Sequence, residues 1–378
     1  MKINYDKRIF GLDVMRAVAI LLVVCSHAVW IFPQTKNVFT DLMSIAGVIG
    51  VEIFFVLSGF LIGRIIYNLF MSSKFSRKDM TYFWVRRWFR TLPNYYLILV
   101  FNVLLALFLG TSMPDNLWQY FFFMQNFSWE MPSFFGESWS LPIEEFAYII
   151  GPLLLYLVLF LKLRINKSRL FFVITSLIIG FFMATKVLYN LNNPETDMVF
   201  WNVNLKAVTL YRIDAIYYGV LAAYVSLVQP HFWRQFRLLF LIVGGLLLLG
   251  LNFIIPSQQI LIESHPFFWN VMYLPINSIA IALVLPVLSQ LKSAPKLIAV
   301  PITIISLISY SMYLIHYSVV LQLMKYFFPT EGLSTSNLIA YLSIYVIITL
   351  VGSYALYAFF ERPMTNLRDT AKIKNRFK

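Results

Sequence analysis

The sequence predicts an all-α membrane protein of about ten transmembrane helices, with the N- and C-termini cytoplasmic. Three observations predict it. Of 378 residues, 60% are hydrophobic and only 12% charged, too few charges to cover a globular surface and too many apolar side chains for a disordered chain. Apolar runs of about twenty residues or more recur between residues 12 and 360. The cations are sorted by side. With the N-terminus inside, 23 of the 30 Lys and Arg fall in segments 1–11, 71–91, 162–169, 229–237, 291–299 and 361–378, and the opposite loops hold one, Lys36. That is a strong positive-inside bias. The net charge of +13 therefore reports membrane insertion, and nucleic acid is not an expected partner.

The predicted spans are 12–32, 43–70, 92–110, 139–161, 170–190, 205–228, 238–256, 267–290, 300–327 and 338–360. Each can cross a hydrocarbon core of about 30 Å at about 1.5 Å per residue. The short apolar stretch 117–127 reads as an interfacial or re-entrant segment. Residues 361–378 form a basic cytoplasmic tail, and 1–378 is expected to be a single integral-membrane domain with no appended soluble domain. Lys2, Lys7 and Arg8 precede the first apolar run as in a signal peptide, but Asp13 and Arg16 interrupt it and no small-residue cleavage site follows. The single cysteine, Cys25, excludes an internal disulfide, a thiolate zinc site and an iron–sulfur cluster, and no metal is expected.

An ionisable side chain inside a span costs at least about 2.5–3.5 kcal/mol unless paired or wetted, so those retained are candidates for function. The first span carries Asp13, Arg16 and His27. Arg16 and His27 are eleven positions apart, so they share a helical face about 16 Å apart along the axis. Asp13, three residues before Arg16, can pair with it. An interfacial Asp–Arg clamp and a histidine bonded to a neighbouring helix are the plainer alternatives. The second span contains Glu52, which needs a partner, and Ser58-Gly59, suited to close helix contact. Arg86, Arg87 and Arg90 stand at the predicted start of a helix and can grip phosphates, or else anchor the chain at anionic lipid. Before the fourth span come Trp139, Glu144 and Glu145, and capping accounts for one of the two carboxylates only. Arg212 is expected to partner Glu144 or Glu145, while Asp214 faces another way. In the ninth span Ser309, Tyr313 and His316 share a face, and His316 lies at a depth similar to His27.

In this order these segments resemble the integral-membrane acyltransferase family 3, which O-acylates cell-envelope polysaccharides. The resemblance rests on Gly11-Leu12-Asp13 with Arg16 and His27 at their spacing, the run from Gly50 to Ile62, the Arg87 and Arg90 pair, Trp139 to Glu145, Arg212 to Ala215, Tyr313 with His316, and Glu361-Arg362-Pro363. Phe146-Ala147 departs from the Gln-Phe that commonly follows the paired glutamates. The resemblance implies a multi-pass protein of the plasma (inner) membrane. It implies acyl-coenzyme A, with acetyl the default, as co-substrate and no permanently bound cofactor. It also implies His27 as catalytic base and Arg16, Arg87 and Arg90 near the donor; Arg86, one turn before Arg90, is expected to join them on the residue reading alone. Many members carry an extracytoplasmic hydrolase-like domain, so a separate extracytoplasmic transferase partner is an expectation here.

The expected reaction moves an acyl group from cytoplasmic acyl-coenzyme A to a hydroxyl of an extracytoplasmic envelope saccharide. His27 acts as general base, oriented by Glu144 or Glu145, and Asp13, Glu52, Ser58, Trp139, Arg212, Asp214, Tyr313 and His316 support the site or its acceptor side. The competing expectation is an exporter of a lipid-linked or polymeric saccharide, which ten spans with buried charges would also fit.

Overall fold

The structure, a computed structural model, describes residues 8–32, 38–72, 75–161, 164–193, 197–370 and 373, and every regular element among them is helical. Lys2, Lys7, Lys36, Lys74, Lys162 and Glu195, and the tail cations Lys372, Lys374, Arg376 and Lys378, lie outside the described residues. Nine helices among those described are long and apolar enough to cross a membrane: Phe10–Ile31, Ile45–Met71, Arg77–Leu109, Gly136–Leu161, Lys167–Asn192, Arg237–Ser257, Phe268–Leu288, Lys296–Phe327 and Thr335–Leu367. Their continuous α-helical parts are α1 (Phe10–Ala28), α2 (Val38–Met71), α3 (Arg77–Leu109), α4 (Ser140–Val158), α5 (Lys167–Asn192), α7 (Arg237–Leu249), α8 (Leu274–Leu288), α9 (Lys296–Ile315) and α10 (Thr335–Leu356). The remaining long helix, α6 (Ile213–Val228), has 16 residues and occupies part of the predicted span 205–228.

That span is broken at its start for a hydrogen-bonding reason. Residues 202–206 are π-helical, Val208 is extended, and 209–211 form a single 3₁₀ turn. Thr209 N–H and Leu210 N–H donate to the carbonyls of Asn126 and Phe127, both at 2.9 Å, in place of helical partners. The 117–127 stretch supplies those carbonyls. It makes one helical turn, Trp118–Phe121, then non-helical backbone in which Gln125 and Asn126 are buried. Asn126 donates to the Trp139 carbonyl at 2.8 Å and to that of Ala207. Irregular backbone in a membrane protein is tolerated where protein buries it.

The third span also begins earlier than its hydropathy indicates. Ser76 and Asp79 form a capping box that starts α3, and Gly110, at φ 66°, ends it. Arg86, Arg87 and Arg90 therefore lie inside a 33-residue helix, two or more turns past its start. Polar residues in its first turns mask the helix from a hydropathy window.

α2 is central and packs on α1, α6 and α8. It meets α6 through glycines: a Cβ at Gly59 would lie 1.9 Å from the Ile216 carbonyl oxygen, and one at Gly219 2.1 Å from that of Val56. This is the small-residue contact expected of Ser58-Gly59. Segments assigned to one side by charge meet at one end of the bundle. Gly11 N–H donates to the Leu291 carbonyl at 2.8 Å, Lys167 to that of Ser72 at 2.9 Å, and Arg86 lies 3.9 Å from Asp369. At the other end, Met131 N–H donates to the Val203 carbonyl at 3.0 Å.

Candidate functional site

A cavity of about 510 Å³ lies among α1, α2, α3, α4 and α9, within the range of small-ligand sites. Its lining combines five guanidinium groups (Arg16, Arg86, Arg87, Arg90 and Arg368) with apolar side chains of α2 such as Leu57, Leu61 and Ile65. Ser58, Asp79, Ser140, Glu144, Tyr310 and Tyr313 are among its other lining residues. Helical spacing explains how α2 offers one apolar wall, since residues 54, 57, 58, 61, 62 and 65 recur at three and four positions.

Each arginine is held differently. Arg16 donates to Ser306 Oγ at 3.1 Å and lies 3.5 Å from Asp13, which also binds Arg8 and accepts from Ser306 at 2.8 Å. The expected Asp13–Arg16 pair is present, with Arg8 and Ser306 added. Arg87 pairs with Glu144 and lies over the Tyr148 ring at 4.3 Å, while its buried Nε has no partner among the described residues. Tyr148 ties Ser58 to Glu144, donating to the carboxylate at 3.0 Å. Glu145 is buried and accepts from Thr91 at 3.2 Å. Arg90 makes no side-chain hydrogen bond or ion pair with a described residue, although it lines the cavity.

At the far wall Tyr313 donates to the Glu137 carbonyl at 2.7 Å and shares a 2.6 Å hydrogen bond with Ser140. Its ring lies 5.9 Å from that of His316. His316 Nε2 lies 3.0 Å from His27 Nδ1. The two histidines, on α1 and at the end of α9, are thus hydrogen-bonded to each other. The helix widens to π pitch from His316 to Leu321, and His316 Nδ1 reaches back to the carbonyls of Met312 (3.0 Å) and Tyr313 (2.8 Å). Carbonyl oxygens only accept, so Nδ1 of His316 carries the hydrogen, and its Nε2 accepts in the neutral ring. His27 Nδ1–H is then the donor, shared between His316 and the Val23 carbonyl at 3.1 Å. The lone pair of a neutral His27 is left on Nε2. The ring is half-buried, with Tyr317 4.7 Å away on centroids, and is not itself a lining residue of the cavity.

Two expected pairings are corrected. Among the described residues, Arg212 pairs with Glu52 and not with Glu144 or Glu145, and Ser278 donates to the same Glu52 carboxylate at 2.7 Å. Among the described residues the His27 ring hydrogen-bonds to Val23 and His316, not to Glu144 or Glu145, so neither of these two glutamates orients it by a hydrogen bond. The reason is register: Glu144 and Glu145 sit where α4 faces Arg87 and Thr91 of α3, whereas Arg212 emerges from the broken start of α6 against α2. Asp214 binds Lys186 at 2.5 Å. Glu52, Arg212, Asp214 and Lys186 are all buried away from the cavity lining. Trp139 lies under the Lys206 ammonium at 5.2 Å and edge-on to Phe55.

Sequence reasoning passed over Tyr148, Glu137 and Arg368. Tyr148 carried a signal, one turn after Glu144 on the same helical face. Glu137, buried, accepts from Ser318 N–H at 3.0 Å and Ser318 Oγ at 2.6 Å, and only the fold brings those segments together.

A family model described as an acyltransferase domain matches residues 9–358. The peptidoglycan O-acetyltransferase OatA of Listeria monocytogenes is 26% identical over 332 residues, covering 83% of this chain and 50% of that protein. YrhL of Bacillus subtilis, provisionally named as a peptidoglycan O-acetyltransferase, is 34% identical over 203 residues, covering 50% of this chain and 30% of its own length. The chain thus spans half or less of the curated relatives it matches. No solved structure matches it.

Proposed function

The chain belongs to the acyltransferase family of that model, and from this premise we propose that it is a membrane-embedded O-acyltransferase that moves an acyl group, acetyl by the names of its relatives, from acyl-coenzyme A to a hydroxyl of an envelope saccharide. One observation carries the reading: an arginine-lined cavity whose far wall, Tyr313, lies 5.9 Å ring to ring from His316, which is hydrogen-bonded to His27. In this reading both termini face the cytoplasm, the membrane is the plasma membrane, and the acceptor lies outside.

Coenzyme A is polyanionic at its nucleotide end and ends in a thin arm bearing the thioester. Arg16, Arg86, Arg87 and Arg90, all of which line the cavity, hold its phosphates. Glu144 and Glu145 serve as positioning residues, fixing Arg87 and the start of α4. The arm lies along the apolar wall of α2 and brings the acyl carbon toward Tyr313.

His27 Nε2 takes the proton from the acceptor hydroxyl as its oxygen attacks the thioester carbonyl. The C–S bond then breaks, and the departing thiolate takes that proton from His27. General-base help of this kind is worth about 10²–10⁴-fold. His316 keeps the His27 lone pair on Nε2 by accepting from Nδ1–H. The acceptor is a saccharide of the cell envelope, with peptidoglycan favoured by the relatives' names, and a separate extracytoplasmic transferase is its proposed partner. Mass analysis of envelope glycans from cells with and without the gene tests the reading. A mass increment of one acyl group that disappears with the gene is expected, and identical glycans would overturn it.

A further inference from the structure

Sequence gives Arg368 no role beyond that of a basic tail residue. In the fold, α11 (Arg362–Leu367) turns back against α3, and Arg368 at its end lines the same cavity as Arg86, Arg87 and Arg90. Arg368 Nη1 donates to the Arg86 carbonyl at 3.4 Å. Asp369 stands between the two side chains, 3.9 Å from Arg86 and 3.4 Å from Arg368.

The cavity lining carries five guanidinium groups against two carboxylates, Asp79 and Glu144. Asp79 is engaged by Ser76 at the helix cap and Glu144 by Arg87. Arg86 and Arg368 are only partly covered, at 45% and 24% side-chain exposure, so they mark where the cavity opens. Cations gathered at an opening with one carboxylate among them are stabilised when an anion enters, and a phosphate matches the guanidinium fork.

We propose that Arg368 completes the phosphate-binding end of the donor site: the folded-back tail grips a phosphate of the donor's nucleotide together with Arg86 and Arg90, and Asp369 competes with that phosphate. The inference rests on the donor reading above and adds a residue from beyond the last span. It makes the tail part of the site, so that α11 must lie against α3 for the donor to be held at full strength.

Binding of two probes to the detergent-purified full chain tests it: coenzyme A, and acetyl-pantetheine, which lacks the nucleotide and its phosphates. Arg368→Ala is expected to weaken coenzyme A binding about 10-fold or more, and Asp369→Asn to tighten it. Neither should change acetyl-pantetheine binding. A merely structural role would weaken both variants or both probes, which would overturn the proposal. Wild-type binding with an unaffected Arg368→Ala would overturn it too, while leaving the donor reading standing. A wild-type chain that binds no coenzyme A would remove the donor reading and this inference with it.

Discussion

Two groups of charged side chains lie among the helices, and they differ in what surrounds them. Arg16, Arg87 and Glu144 face a cavity, with Arg86, Arg90 and Arg368 at the same lining. Glu52 with Arg212, and Lys186 with Asp214, are each sealed in protein at about 1% side-chain exposure. In the sealed block every cation has a carboxylate of its own, and the two pairs fasten the start of α6 to α2 and to α5. In the cavity block cations outnumber carboxylates. The same sequence signal, a charge inside an apolar run, thus marks a fastener in one place and the wall of a cavity in the other. Matching of charge and the presence of open space separate the two, and neither is written in the local sequence.

The comparison can be broken at several points. The largest effect is expected at the histidine pair beyond the cavity. His27→Ala should lower acyl transfer by about 10²–10⁴-fold with coenzyme A binding unchanged, measured by turnover and by equilibrium binding on the same preparation. In the sealed block, Arg212→Ala leaves Glu52 buried without its cation and should cost about 3–5 kcal/mol of stability, read as thermal unfolding in detergent. Exchanging both partners for hydrophobes, Arg212→Met with Glu52→Leu, should recover most of that loss. A cavity arginine should behave in the opposite way. Arg90→Ala should keep the melting temperature and raise the donor KM about 10-fold or more, because the lost interaction is with a ligand. The smallest effect is expected at His316. His316→Phe should lower kcat about 10-fold with the donor KM unchanged, and His316→Asn, whose amide can donate to Met312 and accept from His27, should restore part of it.

Much of the fold was legible in the sequence because hydropathy and charge asymmetry are local quantities. The long helices follow from composition. So does the meeting of residues 11 and 291, and of 86 and 369, at one end of the bundle, which the sorting of Lys and Arg had grouped on one side. The break at 207–212 was not legible, because the hydrogen bonds that interrupt the helix come from 126 and 127, some eighty residues away. At the site, the spacing of Arg16 and His27 pointed to a shared stripe, and Tyr313 with His316 to another. Their junction was hidden, since His27 and His316 are 289 residues apart and meet through a π turn. The partner of Arg212 was hidden for the same reason. Several carboxylates were available, and only packing chose Glu52, 160 residues away.

Transfer across a sealed bilayer tests the central claim most directly. Proteoliposomes with isotopically labelled acetyl-coenzyme A on the side of Arg86 and Arg368, and envelope glycan on the other, should yield labelled glycan with the wild-type chain and none with His27→Ala. Passage of unmodified glycan through the bilayer without label, or undiminished labelling by His27→Ala, would contradict it.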